Sequence, residues 1–142
     1  MNTVSSVLGR KGGVPVTVTP ETTVMEALEL MAKKNIGSVV VMNGNEYLGI
    51  MTERDYSRKV ILKGKHSTTT KVAEIMSTDL PQVKPEDSIE HCMELMTEKN
   101  IRYMPVVEND RVTGIISMSD VVKETIRAQK NTIDQLQNYI QS

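Results

Sequence analysis

The sequence predicts an α/β (α+β) fold in which a β-α-β-β-α unit occurs twice, followed by a C-terminal amphipathic helix. The main observation is an internal repeat: a shift of 65 positions lays residues 19–61 over residues 84–126 without a gap, giving thirteen identical pairs. Chance would give only about two or three at average residue usage. Because one copy alone buries little apolar surface, we expect the two copies to pack about a pseudo-twofold axis around one shared core.

The first strand and helix of each copy follow from proline and apolar spacing. A short β-rich segment ends at Pro20 and again at Pro85, as suits a strand end followed by a first helical turn. Apolar residues then recur at the spacing of one helix face, and we expect Asn35 and Asn100 to end these helices in the left-handed conformation. The two apolar faces are Val24, Ala27, Leu28 and Met31, and Ile89, Cys92, Met93 and Met96.

Two further strands and a second helix complete each copy. The apolar runs Val39–Met42 and Met104–Val107 indicate buried strands. Tight-turn residues follow each run and lead to second strands, predicted at Tyr47–Met51 and Val112–Ile116. The second helices are expected to begin near residues 53–55 and 119–120.

The expected domain boundaries follow the repeat. Residues 1–63 form the first motif, 64–71 a polar linker, 72–128 the second motif and 129–142 the C-terminal helix, with 1–128 as one module. Val4–Leu8 and Val72–Met76 are expected to be equivalent short helical turns. The basic segment at residues 10–13 is interpreted as a flexible lead-in. Thr132 and Gln135 fit a capping box that begins the last helix.

Composition narrows the functional classes. Net charge is −1 and the chain has neither Trp nor Phe, so we expect no nucleic-acid partner. The single Cys92 and two histidines indicate neither a disulfide framework nor a metal site. No apolar run approaches the ~20 residues that span a bilayer, and the amino terminus lacks a signal pattern, so we expect a cytoplasmic protein with no membrane partner. Without an oriented nucleophile we expect no catalytic residue and no catalytic cofactor.

The candidate site residues are a hydroxyl and a carboxylate three positions apart, where a strand leads into a helix in each copy. They are Thr52 with Asp55, and Ser117 with Asp120. Such residues are common helix caps, and capping alone explains one residue of each pair. A carboxylate here can also accept both hydroxyl hydrogens of a ribose, and helix N–H groups suit phosphate oxygens. Ligand binding and capping are both open on the spacing alone.

The ordered motifs resemble those of tandem CBS-domain proteins (Bateman modules), in particular small stand-alone bacterial members, over residues 4–127. The matching segments are Val18–Pro20, Ala27–Met31, Gly49–Asp55, Val83–Pro85, Met93–Met96, Met104–Val107 and Gly114–Asp120. The resemblance implies a regulatory module rather than an enzyme. Such a module senses an adenine nucleotide (AMP, ADP, ATP or NAD, in some members S-adenosylmethionine) in clefts between the motifs and acts on an unidentified protein in trans.

The resemblance also implies residue roles. Asp55 and Asp120 would hold ribose hydroxyls, with Thr52 and Ser117 near the ribose–phosphate junction. The residues that would face the adenine are Gly37, Ser38, Tyr103, Met104 and Pro105, and those that would close the pocket are Thr17, Thr19, Val83 and Lys84.

Differences between the copies predict two inequivalent sites. Arg102 and Tyr103 replace Gly37 and Ser38, Met118 and Ser119 replace Glu53 and Arg54, and Val40 stands opposite Pro105. We therefore expect Arg102 or Arg54 to meet the phosphates. Arg58 and Lys59 are interpreted as a solvated helix face.

An alternative function is a structural homodimerisation module with empty clefts. Ile133, Leu136 and Ile140 give the last helix an apolar stripe, which indicates a missing partner. Proteins of this kind commonly pair two modules, so a homodimer is expected under either function.

Overall fold

The computed structural model of the chain describes residues 2–12 and 14–141. The helices are Val4–Lys11 (α1), Val24–Lys34 (α2), Glu53–Lys59 (α3), Ile89–Lys99 (α4) and Met118–Gln141 (α5), with short 3₁₀ helices at Ile61–Lys63 and Val72–Glu74. The strands are Thr17–Val18 (β1), Ser38–Asn43 (β2), Glu46–Thr52 (β3), Tyr103–Glu108 (β4) and Arg111–Ser117 (β5). The expectations for Met1, Gly13 and Ser142 lie outside the described residues.

The repeat in the sequence is a repeat in the structure. Helices α2 and α4, strands β2 and β4, and strands β3 and β5 each begin and end 65 positions apart. Strand β1 pairs in parallel with β2, and β2 pairs antiparallel with β3, while β4 and β5 form a second sheet. In place of a strand equivalent to β1, Val83 forms a single parallel bridge to Val106. The predicted mixed α/β fold with a C-terminal helix is confirmed.

Matching residues begin and end the repeated helices. The Thr23 hydroxyl accepts the N–H of Glu26 at 3.1 Å, and the Ser88 hydroxyl accepts the N–H of His91 at 3.1 Å. Each side chain satisfies one backbone donor that the first helical turn leaves without a partner. The expectation that asparagine ends both helices is confirmed, since Asn35 and Asn100 both have a φ of 54°.

The compact units do not coincide with the boundaries expected from the repeat. The first-repeat unit comprises Val14–Leu80 and Asn109–Thr113. The second-repeat unit comprises Met1–Gly13, Pro81–Glu108 and Gly114–Ser142. Helix α1 therefore precedes the first copy along the chain but belongs to the unit of the second.

The two lead-in segments, residues 4–8 and 72–76, make matching contacts. The N–H of Val4 donates to the carbonyl of Asp87 at 2.9 Å, and the N–H of Val72 donates to the carbonyl of Thr22 at 2.8 Å. Both valines are fully buried. Residues 4–8 therefore lie beside the first turn of α4 in the second copy, and residues 72–76 lie beside the first turn of α2 in the first copy. In each place an apolar site buries the valine side chain.

Most of the buried apolar side chains form two clusters, one in each unit. The first-repeat cluster contains Val24, Ala27, Met31, Val39, Val41, Met51, Val60, Val72 and Ile75. The second-repeat cluster contains Val4, Val7, Val83, Ile89, Cys92, Met96, Met104, Val106, Ile116 and Val121. Each cluster includes two apolar residues of a lead-in segment, Val72 and Ile75 in the first and Val4 and Val7 in the second, so the lead-in segments complete the cores.

Two expectations about helix ends are wrong. Helix α5 is continuous, and the Thr132 hydroxyl donates to the carbonyl of Ala128 at 3.0 Å instead of capping a new helix. Residues 127–131 contain neither glycine nor proline, so nothing interrupts the helix there. Helix α1 extends to Lys11, so Arg10 and Lys11 lie in its last turn rather than in a flexible segment.

Candidate functional site

The two candidate carboxylates occupy the same position of a helix first turn. In the first-repeat unit the Thr52 hydroxyl accepts the N–H of Asp55 at 3.1 Å, and Asp55 Oδ2 accepts the N–H of Thr52 at 2.9 Å. In the second-repeat unit the Ser117 hydroxyl accepts the N–H of Asp120 at 3.1 Å, and Asp120 Oδ2 accepts the N–H of Ser117 at 2.9 Å. Both pairs form reciprocal capping boxes.

The capping boxes account for the whole hydroxyl–carboxylate spacing. From the sequence, capping explains one residue of each pair, and in the structure it explains both. The spacing by itself is therefore no evidence for a ligand. That evidence has to come from the groups that surround each carboxylate.

In the first-repeat unit both oxygens of Asp55 are engaged. Oδ1 lies 2.9 Å from Nζ of Lys59 and accepts the Ser77 hydroxyl at 3.3 Å, and Oδ2 accepts from Thr52. The Lys59 ammonium also donates to the carbonyl of Ile75 at 2.9 Å. Lys59 lies on a solvated helix face, as expected, with its side chain 44% exposed, and it also pairs with Asp55 one helical turn away.

In the second-repeat unit one oxygen of Asp120 is open. Oδ2 accepts from Lys11 Nζ at 2.9 Å, while none of the described residues donates to Oδ1. The Lys11 ammonium also donates to the carbonyl of Ile115 at 3.0 Å. Lys11 thus does for Asp120 what Lys59 does for Asp55. The Asp120 side chain is 16% exposed, against 9% for Asp55.

A pocket of about 220 Å³ lies beside Asp120 within the second-repeat unit. It is lined by side chains of α1 and of the first turns of α5: Val7, Arg10, Lys11, Asp120, Lys123, Glu124 and Arg127. Four cations and two carboxylates give the lining a net positive charge. A positively charged recess with an open carboxylate oxygen suits a ligand that carries both hydroxyl donors and negative charge.

A buried carboxylate holds one wall of this pocket in place. The Glu124 side chain is only 3% exposed, and the Arg10 guanidinium donates to both of its oxygens. This hydrogen bond raises the pKa of Arg10 above its ordinary value, so the guanidinium remains charged. Because a buried carboxylate without a partner is strongly disfavoured, Glu124 fixes the end of α1 against α5.

The predicted adenine-facing residues of the first-repeat unit lie next to Thr52. Ser38 is opposite Thr52 in the β2–β3 register, and the carbonyl of Gly37 accepts the N–H of Glu53 at 3.2 Å. Ser38 is buried. These residues and Asp55 form one group at the end of β3.

The other predicted residues of this unit lie further from that group. Thr17 is exposed and pairs with Val40 at the edge of the sheet. Thr19 is exposed, and its hydroxyl lies 3.1 Å from that of Thr22. Arg54 is half-buried on the first turn of α3.

In the second-repeat unit, two sets of predicted residues are held by backbone bonds. The carbonyl of Arg102 accepts the N–H of Met118 at 2.8 Å, which places the start of β4 beside the start of α5. The N–H of Val83 donates to the carbonyl of Pro105 at 3.1 Å. Of the predicted residues here, Val83, Met104 and Pro105 are buried, Tyr103, Ser117 and Met118 are half-buried, and Lys84, Arg102 and Ser119 are exposed.

Sequence reasoning missed the partners of the carboxylates. The four-residue spacing of Asp55 and Lys59 is a readable signal for a helical ion pair. Lys11 is 109 positions from Asp120, and Arg10 is 114 positions from Glu124. Only tertiary contacts bring these pairs together.

The described residues contain neither a cluster of metal ligands nor a membrane-spanning helix. Across residues 2–12 and 14–141, no three metal-ligating side chains cluster. No helix within these ranges is long and apolar enough to cross a membrane.

Burial, assisted by the charge of Asp87, raises the pKa of Cys92 to about 11, so this thiol is protonated near neutral pH.

Known proteins match most of this chain. The CBS domain model matches residues 12–61 and 72–127. CBS domain-containing protein CBSX3, mitochondrial, of Arabidopsis thaliana is 36% identical over 148 residues, covering 98% of this chain and 72% of that protein. The CBS-domain containing protein ATU1752 from Agrobacterium tumefaciens has a TM-score of 0.81 at 37% identity, covering 86% of this chain and 98% of that one. The CBS domain pair of protein MJ0100, solved with 5′-methylthioadenosine and S-adenosyl-L-methionine, shares the fold with a TM-score of 0.73 at 24% identity, covering 86% and 98%.

Proposed function

The chain belongs to the CBS-domain family as a tandem pair, and we propose that it is a regulatory module that binds an adenine nucleotide and acts in trans on another protein. The ligands that we propose are AMP, ADP, ATP or NAD, held without covalent chemistry. The regulated protein is unidentified, and a cytoplasmic location is part of the proposal. A regulatory rather than catalytic role fits relatives that are stand-alone CBS-domain proteins.

The observation that carries this proposal is the open oxygen of Asp120 beside a positively charged pocket. A ribose diol offers two hydroxyl donors, and a carboxylate with an oxygen to spare can accept them. Cations in the same recess suit the phosphate that follows the ribose. A nucleotide has both features on adjacent parts of one molecule.

We propose that the adenine contacts aliphatic and methionine surface. The chain contains neither Phe nor Trp, so stacking on those rings is excluded. Tyr103, Met104 and Pro105 are proposed to face the adenine in the second-repeat unit, and Gly37 and Ser38 in the first. The apolar character of these groups and the backbone polar groups of their strands support this assignment.

The test is thermal unfolding of the chain with AMP, ADP, ATP or NAD. A ligand at a hundredfold its dissociation constant stabilises a fold by about 2.7 kcal/mol, so binding raises the midpoint. Asp120→Ala and Asp55→Ala, made singly, should each remove one stage of the rise. The rise is measured against each variant without ligand, so the loss of a helix cap cancels.

The matched control is Asp134→Ala, which removes an exposed carboxylate from α5 and should leave the rise intact. No rise with any of the four nucleotides contradicts the proposal. So does a rise that persists in full when both Asp55 and Asp120 are replaced.

A second candidate, homodimerisation through α5, is favoured by a separate observation. Large apolar side chains remain exposed on this helix: Val122, Ile126, Ile133, Leu136, Tyr139 and Ile140. Ile126, Ile133 and Ile140 lie seven apart, and Leu136 falls between the last two, which is the a and d spacing of a coiled coil. We propose that a second copy of the chain covers this face. Dimerisation is compatible with nucleotide binding.

Sedimentation of the chain and of Ile133→Asp tests this pairing. A charge at the centre of the seam should convert a dimer into a monomer, because it would be buried without a partner. The control is Asn131→Asp, which adds the same charge two positions away on the exposed helix. A dimer that persists in Ile133→Asp contradicts pairing through α5.

A further inference from the structure

We propose that the pocket of the second-repeat unit is a phosphate-chain site that selects ligands with two or more adjacent phosphates. Lys123 and Arg127 of α5 and Arg10 of α1 are the cations that would contact the chain. The inference rests on the proposed function, because Asp120, the proposed ribose partner, lines the same pocket. The expectation that Arg102 or Arg54 meets the phosphates remains a prediction beside it.

The charges of the pocket are only partly neutralised. Lys11 is paired with Asp120, and Arg10 is paired with Glu124. Lys123 has no ion pair within the described part of the chain, and Arg127 Nε is 4.0 Å from Glu124. Two positive charges are therefore left over for an anion that carries more than one negative charge.

The order of the side chains along α5 matches a ribose followed by phosphates. Asp120, Lys123 and Arg127 are spaced so that they share one helix face. From Asp120 to Arg127 the helix rises about 10 Å. A single phosphate next to the ribose would reach only the nearer cation, whereas a chain of phosphates would reach both.

The end of α1 is pre-organised for the same task. Arg10 is held by the buried Glu124 carboxylate, so its position is set before any ligand arrives. Pre-organised donors bind a ligand at a lower entropic cost than mobile ones. Arginine also offers several donors in one plane, which suits phosphate oxygens.

The first-repeat unit lacks this set of groups. At the repeat positions of Lys123, Glu124 and Arg127 it has Arg58, Lys59 and Leu62, and Lys59 is already engaged with Asp55. Its lead-in carries Thr78 and Asp79 where α1 has Arg10 and Lys11. We therefore expect selection for a phosphate chain only in the second-repeat unit.

The test is calorimetric titration of the full chain with adenosine, AMP, ADP, ATP and inorganic pyrophosphate. The variant is Lys123→Gln/Arg127→Gln, which removes two cations and leaves the closer Arg10–Glu124 and Lys11–Asp120 pairs in place. We expect ATP and ADP to bind native protein at least tenfold more tightly than AMP, because their additional phosphates make charged hydrogen bonds with Lys123 and Arg127. The variant should lose that preference and its affinity for pyrophosphate, while its affinity for adenosine is unchanged.

The control is Lys63→Gln/Lys65→Gln, which removes two exposed positive charges elsewhere and should bind as native. ATP affinity unchanged in Lys123→Gln/Arg127→Gln overturns the inference, and if Asp120→Ala still abolishes adenosine binding, the proposed function stands. Pyrophosphate binding that depends on Lys123 and Arg127, without any adenosine binding, supports the phosphate site and contradicts the proposal that the ligand is a nucleotide. Equal losses in the variant and the control overturn the inference, because net charge alone then explains them.

Discussion

Asp55 and Asp120 occupy equivalent positions in two capping boxes, but the lysine that pairs with each carboxylate comes from a different part of the chain. Lys59 lies one turn further along the same helix, whereas Lys11 comes from α1, 109 positions away. The repeat position of Lys59 is Glu124 in the second copy, and Glu124 binds Arg10 instead. The two copies share the hydrogen bonds of the capping box, but a local lysine pairs with Asp55 and a distant one pairs with Asp120.

The difference in partners changes what each carboxylate has left to offer. Asp55 accepts from Thr52, Lys59 and Ser77, so both of its oxygens are engaged. Asp120 keeps one oxygen without a donor among the described residues. Two sites with equivalent motifs therefore need not have equal capacity for a ligand.

The largest expected contrast is between the repeat-related glycines. A Cβ at Gly49 would lie 2.5 Å from the Ser77 carbonyl oxygen, which is backbone and accepts the N–H of Ile50, while the N–H of Ser77 donates to the carbonyl of Ile50. A Cβ at Gly114 would lie 2.8 Å from a methyl group of Leu8, and a leucine side chain can rotate away. We expect Gly49→Ala to lower the free energy of unfolding by about 3 kcal/mol and Gly114→Ala by about 1 kcal/mol, measured in urea.

Gly9→Ala is the control for these substitutions, because a Cβ there meets nothing within 4 Å. It should stabilise α1 by up to ~1 kcal/mol, since alanine is the better helix former. Equal losses of unfolding free energy in Gly49→Ala and Gly114→Ala would contradict this contrast. They would show that both units tolerate an added side chain beside the lead-in segment equally well.

A smaller contrast concerns pH. Burial raises the pKa of Cys92 to about 11, and the repeat counterpart is Ala27, which does not titrate. At a pH between the ordinary thiol pKa of about 9 and this raised value, the Cys92 thiol stays protonated in the folded chain and is deprotonated in the unfolded chain. The stabilisation is therefore complete below about pH 9 and is lost as pH rises from about 9 to about 11, by up to ~2 kcal/mol.

Urea unfolding between pH 8 and pH 10 measures this slope. Cys92→Ala, which copies the first-repeat residue, should flatten it even if the variant is less stable at every pH. Above about pH 10 Tyr47 adds to the loss, because burial raises its pKa to about 12. An unchanged slope in Cys92→Ala would assign the pH dependence to other groups.

The smallest expected effects come from the two lysines. Lys11→Gln and Lys59→Gln should each lower the free energy of unfolding by less than ~1 kcal/mol, because both side chains are more than two-fifths exposed and salt screens exposed ion pairs. Urea unfolding at low and at 1 M salt measures this, with exposed Lys33→Gln as the control. A much larger loss for Lys11→Gln would mean that the attachment of α1 depends on that pair.

Most of the fold was predictable because its signals are local. The strand runs, the helix faces and the asparagine ends of α2 and α4 each depend on a few neighbouring residues, and all recur at an offset of 65. The continuity of α5 was missed because the Thr132 capping pattern suggested a start that its helical surroundings override. The predicted nucleotide-binding residues themselves remain predictions.

The sequence alone determined the duplicated fold, the family and the position of Asp55 and Asp120, since periodicity, turn chemistry and capping act within a few residues. Tertiary packing sets where the lead-in segments lie and brings Lys11 to Asp120 and Arg10 to Glu124. The two ion pairs join residues 109 and 114 positions apart, and the lead-in segments also contact residues distant in the chain, so no short pattern encodes these contacts. They form because a buried valine needs an apolar site and a buried carboxylate needs a positive partner.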